Sequence, residues 1–121
     1  LQKRWGWRFA SLFLGGVWAI WHLPLFYSTG TAQSSLPMGP YTVSVIASSV
    51  LFAWLFKRSQ GSIISVLVLH TAVNALPMLV PVMVQPDGAN LRPFQIVVGF
   101  QVLVAIMLLV FGNRLFKTQP D

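Results

Sequence analysis

The sequence contains no cysteine and no glutamate. Without cysteine, the chain has no disulfide framework, no thiolate nucleophile and no sulfur-ligated metal site. Its only two acidic residues are Asp87, in a connecting segment, and Asp121, at the last position. Neither lies in an apolar segment, so the chain supplies no carboxylate inside a membrane for water activation or metal binding. A complete acid–base site cannot be built from these residues alone.

Charged residues are also scarce. They make up 8% of the chain, hydrophobic residues make up 55%, and the mean hydropathy is +0.71. Soluble domains average about 25% charged residues, so the composition predicts a membrane protein whose main partner is the lipid bilayer. The net charge of +6 does not predict nucleic-acid binding, because the basic residues lie between apolar segments instead of forming one face.

Four apolar segments have about the length that a helix needs to cross the hydrocarbon core. They cover residues 9–26, 41–56, 63–84 and 94–116. Lipid offers no partner for unpaired backbone groups, so the sequence predicts an all-α fold: a polytopic transmembrane helix bundle with four spans. The second span is the shortest, and we expect Pro40 to extend it as its first helical residue.

The basic residues predict the orientation of the bundle. Seven of them flank the apolar segments on one side: Lys3, Arg4, Arg8, Lys57, Arg58, Arg114 and Lys117. The other side has only Arg92, accompanied by Asp87. The positive-inside rule therefore places both ends of the chain in the cytoplasm, and we expect a multi-pass protein of the bacterial cytoplasmic membrane. Since the chain begins at Leu1 without the layout of a signal peptide, we also expect it to start inside a longer protein.

Two histidines, His22 and His70, are the only titratable side chains well inside the apolar segments. Polar groups within a membrane face other helices or a hydrated cavity and are functional candidates by default. His22 ends a stripe of small residues, Ser11, Gly15 and Ala19, that helical periodicity places on one face. We expect that face to pack closely against another helix. The second span has its own small hydroxyl residues, for which we expect the same packing: Thr42, Ser44, Ser48 and Ser49.

The third apolar segment has a polar face formed by His70, Asn74, Pro77 and Pro81. Pro77 removes the amide that would bond the carbonyl of Val73, so we expect this face to be locally irregular and hydrated. A neutral imidazole can accept a proton from water, and imidazole or amide N–H groups can stabilise an oxyanion. The two histidines and the asparagine therefore suit hydrolysis.

The same pattern predicts that the two histidines differ in depth. If Arg8 and Gly61 mark the cytoplasmic edge, His22 lies about 21 Å deep and His70 about 13.5 Å, at the rise of an α-helix. Helix tilt, or a first helix that starts later than Arg8, would reduce this offset.

Two motifs give a resemblance to a known family. WAIWHLPLF and, farther along, SQGSIISVLVLHTAVN resemble the second and third motifs of the CPBP intramembrane endopeptidases, which include CAAX prenyl proteases, bacteriocin-processing proteins and Abi proteins. Trp18 and His22 match the aromatic-x-x-x-His motif, with Trp where Phe is commoner. His70 and Asn74 match His-x-x-x-Asn. The resemblance covers residues 1–77, and the family's first motif, Glu-Glu-x-x-x-Arg, is expected upstream of this chain.

By this resemblance the chain is the C-terminal part of an intramembrane endopeptidase domain with His22, His70 and Asn74 as catalytic residues. His22 would join a glutamate from the upstream helix in activating water, and the other two would polarise the scissile carbonyl and hold the oxyanion. Either a divalent metal such as zinc or a metal-free, glutamate-type mechanism would serve. The implied substrate is a peptide or membrane protein, such as a prenylated protein or a bacteriocin precursor. We expect the isolated chain to be inactive.

Three other functions remain open from the sequence. The main rival is a non-catalytic membrane scaffold or an immunity-type protein, in which the motifs only support packing. A rhomboid-like serine protease could use Ser62, which follows Gly61, but its Gly-x-Ser-Gly pattern is absent. A haem protein could use His22 and His70 as axial ligands within a helix bundle.

Overall fold

The computed structural model describes residues 2–79 and 90–114, with side chains in the first range up to residue 76. These residues form four α-helices and one short 3-10 helix, and no strand occurs among them. The helices are α1 (Gln2–Phe26), the 3-10 helix (Ala32–Ser35), α2 (Met38–Arg58), α3 (Ile63–Leu79) and α4 (Arg92–Phe111). The predicted all-α helix bundle is confirmed.

Three of these helices, α1, α2 and α4, are long and apolar enough to cross a membrane. Helix α3 is a shorter apolar helix that continues through Pro77 to Leu79. The remainder of the predicted third span, including Pro81, lies outside the described residues. The chain is therefore a multi-pass membrane protein.

Helices α1 and α2 begin several residues earlier than the apolar segments predict, and α4 begins two residues earlier, at Arg92. Helix α1 starts at Gln2 and includes a break at Gly6, whose φ of 77° belongs to the left-handed region that glycine tolerates. The basic residues before Phe9 are therefore helical rather than part of a flanking loop. Helix α2 starts at Met38 with Pro37 at its N-cap, so Pro40 lies inside the first turn and is not the first helical residue.

Helix α2 is the centre of the bundle, because α1, α3 and α4 all pack against it. The predicted small-residue face of α1 lies on α2. A Cβ atom built on Gly15 would lie 3.0 Å from the Cα of Ile46 and 3.1 Å from the Cβ of Ser49. The hydroxyl of Ser49 donates to the backbone carbonyl of Ser11 at 2.9 Å. Close packing at this face is confirmed.

Helix α2 also packs against α4. Val50 and Ala105 belong to a buried cluster there, and the hydroxyl of Ser44 donates to the Oε1 atom of Gln101 at 2.5 Å. A second contact joins the first and last helices: the indole Nε1 of Trp7 donates to the Oδ1 atom of Asn113 at 2.8 Å. The start of α1 and the end of α4 therefore lie at the same end of the bundle.

A tight turn joins α2 to α3. Gln60 and Gly61 have φ values of 56° and 89°, and the amide of Gly61 donates to the carbonyl of Phe56 at 2.8 Å, as in a Schellman motif. Ser62 then caps α3, since its hydroxyl accepts the amide of Ser65 at 3.3 Å. Between Ile63 and Leu76 no side chain is buried, so α3 is the helix that the rest of the chain covers least.

Candidate active site

His22 lies in the last two turns of α1, where its side chain is half-buried. Its Nδ1 atom is 2.8 Å from the backbone carbonyl of Trp18, one turn earlier. A carbonyl oxygen can only accept, so Nδ1 carries the proton in this hydrogen bond. In the neutral ring, the lone pair is then on Nε2. His22 can therefore act as a base through one defined atom.

His70 is half-buried in the middle of α3. Its imidazole stacks on the ring of Phe52 from α2, with centroids 5.3 Å apart and an interplanar angle of 18°. The indole of Trp18 from α1 covers it from another direction, with a centroid separation of 5.4 Å. Aromatic residues of two neighbouring helices therefore hold an imidazole whose own helix is mostly uncovered.

Trp18 is the residue that joins the two histidines. Its ring lies 5.6 Å from the ring of His22 and 5.4 Å from the ring of His70, centroid to centroid. The two imidazoles thus share one aromatic neighbour, although each was identified from a different span. Axial ligation of one haem would need the two imidazoles to face the same iron, whereas each of them packs against this indole.

The neighbours of the histidines on α2 show the order of the two histidines along the bundle. His22 contacts Tyr41 near the start of α2, whereas His70 contacts Phe52 near its end. At the rise of an α-helix, these two aromatic residues are separated by about 16 Å along the axis. His70 is therefore closer to the turn between α2 and α3, in the direction that the sequence predicts, and the Trp18 ring spans part of the offset.

Asn74 follows His70 by one turn of α3, so both residues lie on the same face of that helix. Its side chain is exposed and makes no hydrogen bond within the described residues. The carboxamide is thus free to donate to a ligand on this face. Of the two prolines predicted to share the face, the side chain of Pro77 and the whole of Pro81 lie outside the described residues.

An open pocket of about 640 Å³ lies between α1, α2 and α3. His70 and Trp18 line it at one end, and Phe56 and Ile63 line it near the turn that joins α2 to α3. The remaining lining residues are mostly apolar: Gln2, Leu14, Val17, Trp21, Ser49, Phe52, Ala53 and Val66. His22 is not among them. A molecule in this pocket, which we call the Trp18 pocket, would meet His70 directly and the His22 side of the site across the indole.

Two residues of this arrangement were not identified from the sequence. Tyr41 covers the imidazole of His22 and Phe52 covers that of His70, yet both are aromatic residues in apolar segments, where they give no contrast. Proline at position 40 and the loop before it mark the start of a helix but not what Tyr41 touches. Only the packing of α2 between α1 and α3 brings the two rings to the histidines.

The described residues bear on two other kinds of site, a metal site and a catalytic serine. Within residues 2–79 and 90–114, no three histidine, cysteine, aspartate or glutamate side chains form a cluster that could hold a metal ion. His22 and His70 alone do not supply the ligands that a zinc ion needs. The Ser62 hydroxyl accepts hydrogen bonds from both the amide and the hydroxyl of Ser65, so its position is that of a helix cap.

Comparison with known proteins agrees with the two motifs. The family model for Rce1-like type II CAAX prenyl endopeptidases matches residues 1–76. A protein from Methanococcus maripaludis described as CAAX prenyl protease 2 is 23% identical, over 96% of this chain and 42% of its own length. The chain thus spans about two fifths of the relative that it matches, and no solved structure matches it. The chain belongs to the Rce1-like family of CAAX prenyl endopeptidases, within the CPBP intramembrane endopeptidases.

Proposed function

We propose that the chain forms part of an intramembrane endopeptidase that hydrolyses a peptide bond near the cytoplasmic membrane face. The observation that carries this proposal is the placement of His22 and His70 on one indole, with His70 at the end of the Trp18 pocket. An apolar pocket that leads to a polar group inside a membrane is suited to hold a substrate beside the reacting atoms.

The first chemical step is the attack of water on the scissile carbonyl. His22 accepts a proton from the water through Nε2, since Nδ1 is committed to the Trp18 carbonyl. A glutamate from a segment outside these 121 residues would share this task, because the sequence itself contains none. The water oxygen bonds to the carbonyl carbon, and the carbonyl oxygen becomes an oxyanion.

The second step needs donors for that oxyanion and a proton for the leaving amine. An N–H group of His70 and the amide of Asn74 supply the donors, since the two side chains are one turn apart on one face of α3. When the C–N bond breaks, the proton taken up by His22 passes to the departing nitrogen. The products are a free carboxylate and a free amine.

The substrate class follows from the pocket and the relative together. The Trp18 pocket is lined mostly by apolar side chains, and the Methanococcus maripaludis relative is described as a CAAX prenyl protease. We therefore propose a prenylated protein C-terminus as the substrate, with a bacteriocin precursor as the alternative within the family. The pocket extends to Phe56 and Ile63, near the basic residues that the sequence predicts to be cytoplasmic, which supports cleavage near that face.

The test is cleavage of a farnesylated peptide with a C-terminal CAAX sequence by the full-length protein in detergent. We expect His22→Ala and His70→Ala each to abolish cleavage while remaining folded by circular dichroism. Thr71→Ala is the matched control, since Thr71 is an exposed residue next to His70, and it should cleave like the wild type. If both histidine variants cleave at the wild-type rate, neither histidine is catalytic and the proposed mechanism is wrong. If the wild type itself does not cleave the peptide, the non-catalytic scaffold is the better function. If only the unprenylated peptide is cleaved, the proposed substrate class is wrong.

A further inference from the structure

The imidazole of His22 is held by ring contacts in addition to its hydrogen bond. Besides the bond from Nδ1 to the Trp18 carbonyl, its ring packs against the Trp18 indole at 5.6 Å and against the Tyr41 ring at 5.6 Å, centroid to centroid. The first two contacts come from the helix of His22 itself. Tyr41 is the contact from another helix, and it restricts rotation of the imidazole about its own side-chain bonds.

Tyr41 is itself fixed by two side chains and by a buried cluster. The ring of Phe26, at the end of α1, meets it edge to face at a centroid separation of 5.2 Å and an interplanar angle of 81°. The side-chain amide of Gln33, in the 3-10 helix, donates to its hydroxyl at 3.2 Å. Tyr41 also packs against the buried cluster of Leu36, Phe94 and Val98. The side chain of Tyr41 is therefore held in one position and is not a mobile surface side chain.

We propose that Tyr41 is a positioning residue for His22, which keeps the imidazole in the tautomer with Nδ1 protonated and the lone pair of Nε2 aimed at the reacting water. This role rests on the proposed endopeptidase function. The ring of Tyr41 carries it, whereas the hydroxyl serves only to anchor the ring to Gln33. Replacing the ring with a smaller aliphatic side chain would let the imidazole rotate away from the Trp18 carbonyl and populate both tautomers.

Two variants at this position separate the ring from the hydroxyl. Tyr41→Phe keeps the aromatic ring and its contact with Phe26, and we expect its kcat to stay close to that of the wild type. Tyr41→Leu removes the aromatic ring. We expect its kcat to fall by about 10- to 100-fold, because the catalytic group is misplaced, with KM little changed. The matched control is Phe9→Leu, which removes a ring with a comparable edge-to-face contact, to Trp5 at 5.5 Å, from the part of α1 far from His22. It should keep the wild-type kcat.

A spectroscopic measurement tests the positioning directly. In ¹⁵N-histidine-labelled full-length protein, the His22 signals are assigned by their loss in His22→Gln. At a pH where the ring is neutral, the nitrogen coupled to Hδ2, which is Nε2, should show the shift of an unprotonated nitrogen in the wild type, in Tyr41→Phe and in Phe9→Leu. In Tyr41→Leu it should move towards the average of the two tautomers.

The outcomes distinguish this inference from the proposed function. A wild-type spectrum with Nε2 protonated overturns the inference. A Tyr41→Leu protein with unchanged kcat and spectrum, or a Phe9→Leu protein that loses kcat equally, also overturns it. If His22→Ala cleaves like the wild type, the proposed function fails, and the spectra alone still decide whether Tyr41 fixes the tautomer.

Discussion

Two residues of α3 one turn apart have different surroundings. His70 is half-buried between Phe52 and Trp18, whereas Asn74 is exposed. An imidazole held by two rings is already oriented before a substrate arrives, and this preorganisation is what makes a hydrogen-bond donor effective in a transition state. The carboxamide of Asn74 has no such support within the described residues and would be oriented by the substrate oxygen itself.

Asn74→Ala should therefore affect the transition state more than substrate binding. We expect kcat to fall by about 10²- to 10³-fold, as when one oxyanion donor is removed, while KM changes little. Steady-state cleavage of the farnesylated peptide measures both constants, with Thr71→Ala as the control. A raised KM with an unchanged kcat would instead show that Asn74 binds the substrate in its ground state.

At the scale of single residues, the sequence identifies the polar groups and Trp18, but not the other two aromatic neighbours of the histidines. His22, His70 and Asn74 stand out because a polar side chain in an apolar helix is costly. Tyr41 and Phe52 do not stand out, since aromatic residues are common in such helices. Their contacts join positions that are far apart in the chain, and no period or motif within one segment can encode which ring meets which histidine.

At the scale of helices, the contact between α1 and α2 depends on the absence of a side chain at Gly15. The neighbouring Gly16 faces open space, with nothing within 4 Å of a Cβ atom built on it. The two glycines are thus adjacent in sequence, but only Gly15 is in close contact with α2. Substitutions at Gly16 therefore serve as controls for substitutions at Gly15.

We expect Gly15→Ala to destabilise the protein by about 1–3 kcal/mol, because the new methyl group would press on the backbone of Ile46 and push the helices apart. Gly16→Ala should leave stability unchanged or raise it by up to about 1 kcal/mol, since alanine is the better helix former. Unfolding in detergent, followed by circular dichroism, compares the two variants. Equal effects of both would mean that α1 and α2 are not in close contact at Gly15.

The types of the helices were predictable from the sequence, but two of their starts were not. Hydropathy identifies α1 from Phe9 onward because the basic residues before it lower the average. In the structure those residues are helical, and Gly6 absorbs the change of direction. Similarly, α2 takes in residues 38–40 before its apolar run, because Pro37 and not Pro40 occupies the N-cap. Composition locates the membrane-crossing part of a helix better than its end.

For the whole molecule, the central position of α2 explains how two motifs on α1 and α3 form one site. Helices α1 and α3 make their main contacts with α2, and the aromatic residues of α2 meet one histidine from each. The match to the family ends at residue 76, and α4 packs against α2 through Ala105 and Gln101. Helix α4 therefore supports the site by holding α2 and contributes no residue to it among those described.

The orientation of the bundle can be tested without removing any native thiol, because the chain has no cysteine. We expect a cysteine introduced as Ser62→Cys, in the turn before α3, to react with a membrane-impermeant maleimide added from the cytoplasmic side. A cysteine introduced as Ala32→Cys, between α1 and α2, should react only from the other side. Inverted and right-side-out vesicles provide the two directions of labelling. The reverse pattern would contradict the orientation predicted from the basic residues.

The hydrogen bond between Trp7 and Asn113 has a consequence for how the chain could be divided. It joins a residue of α1 to a residue just after α4, in addition to the contacts between α2 and α4. Two fragments made by cutting the chain between α3 and α4 should therefore reassociate in a membrane, because both sets of contacts lie between the fragments.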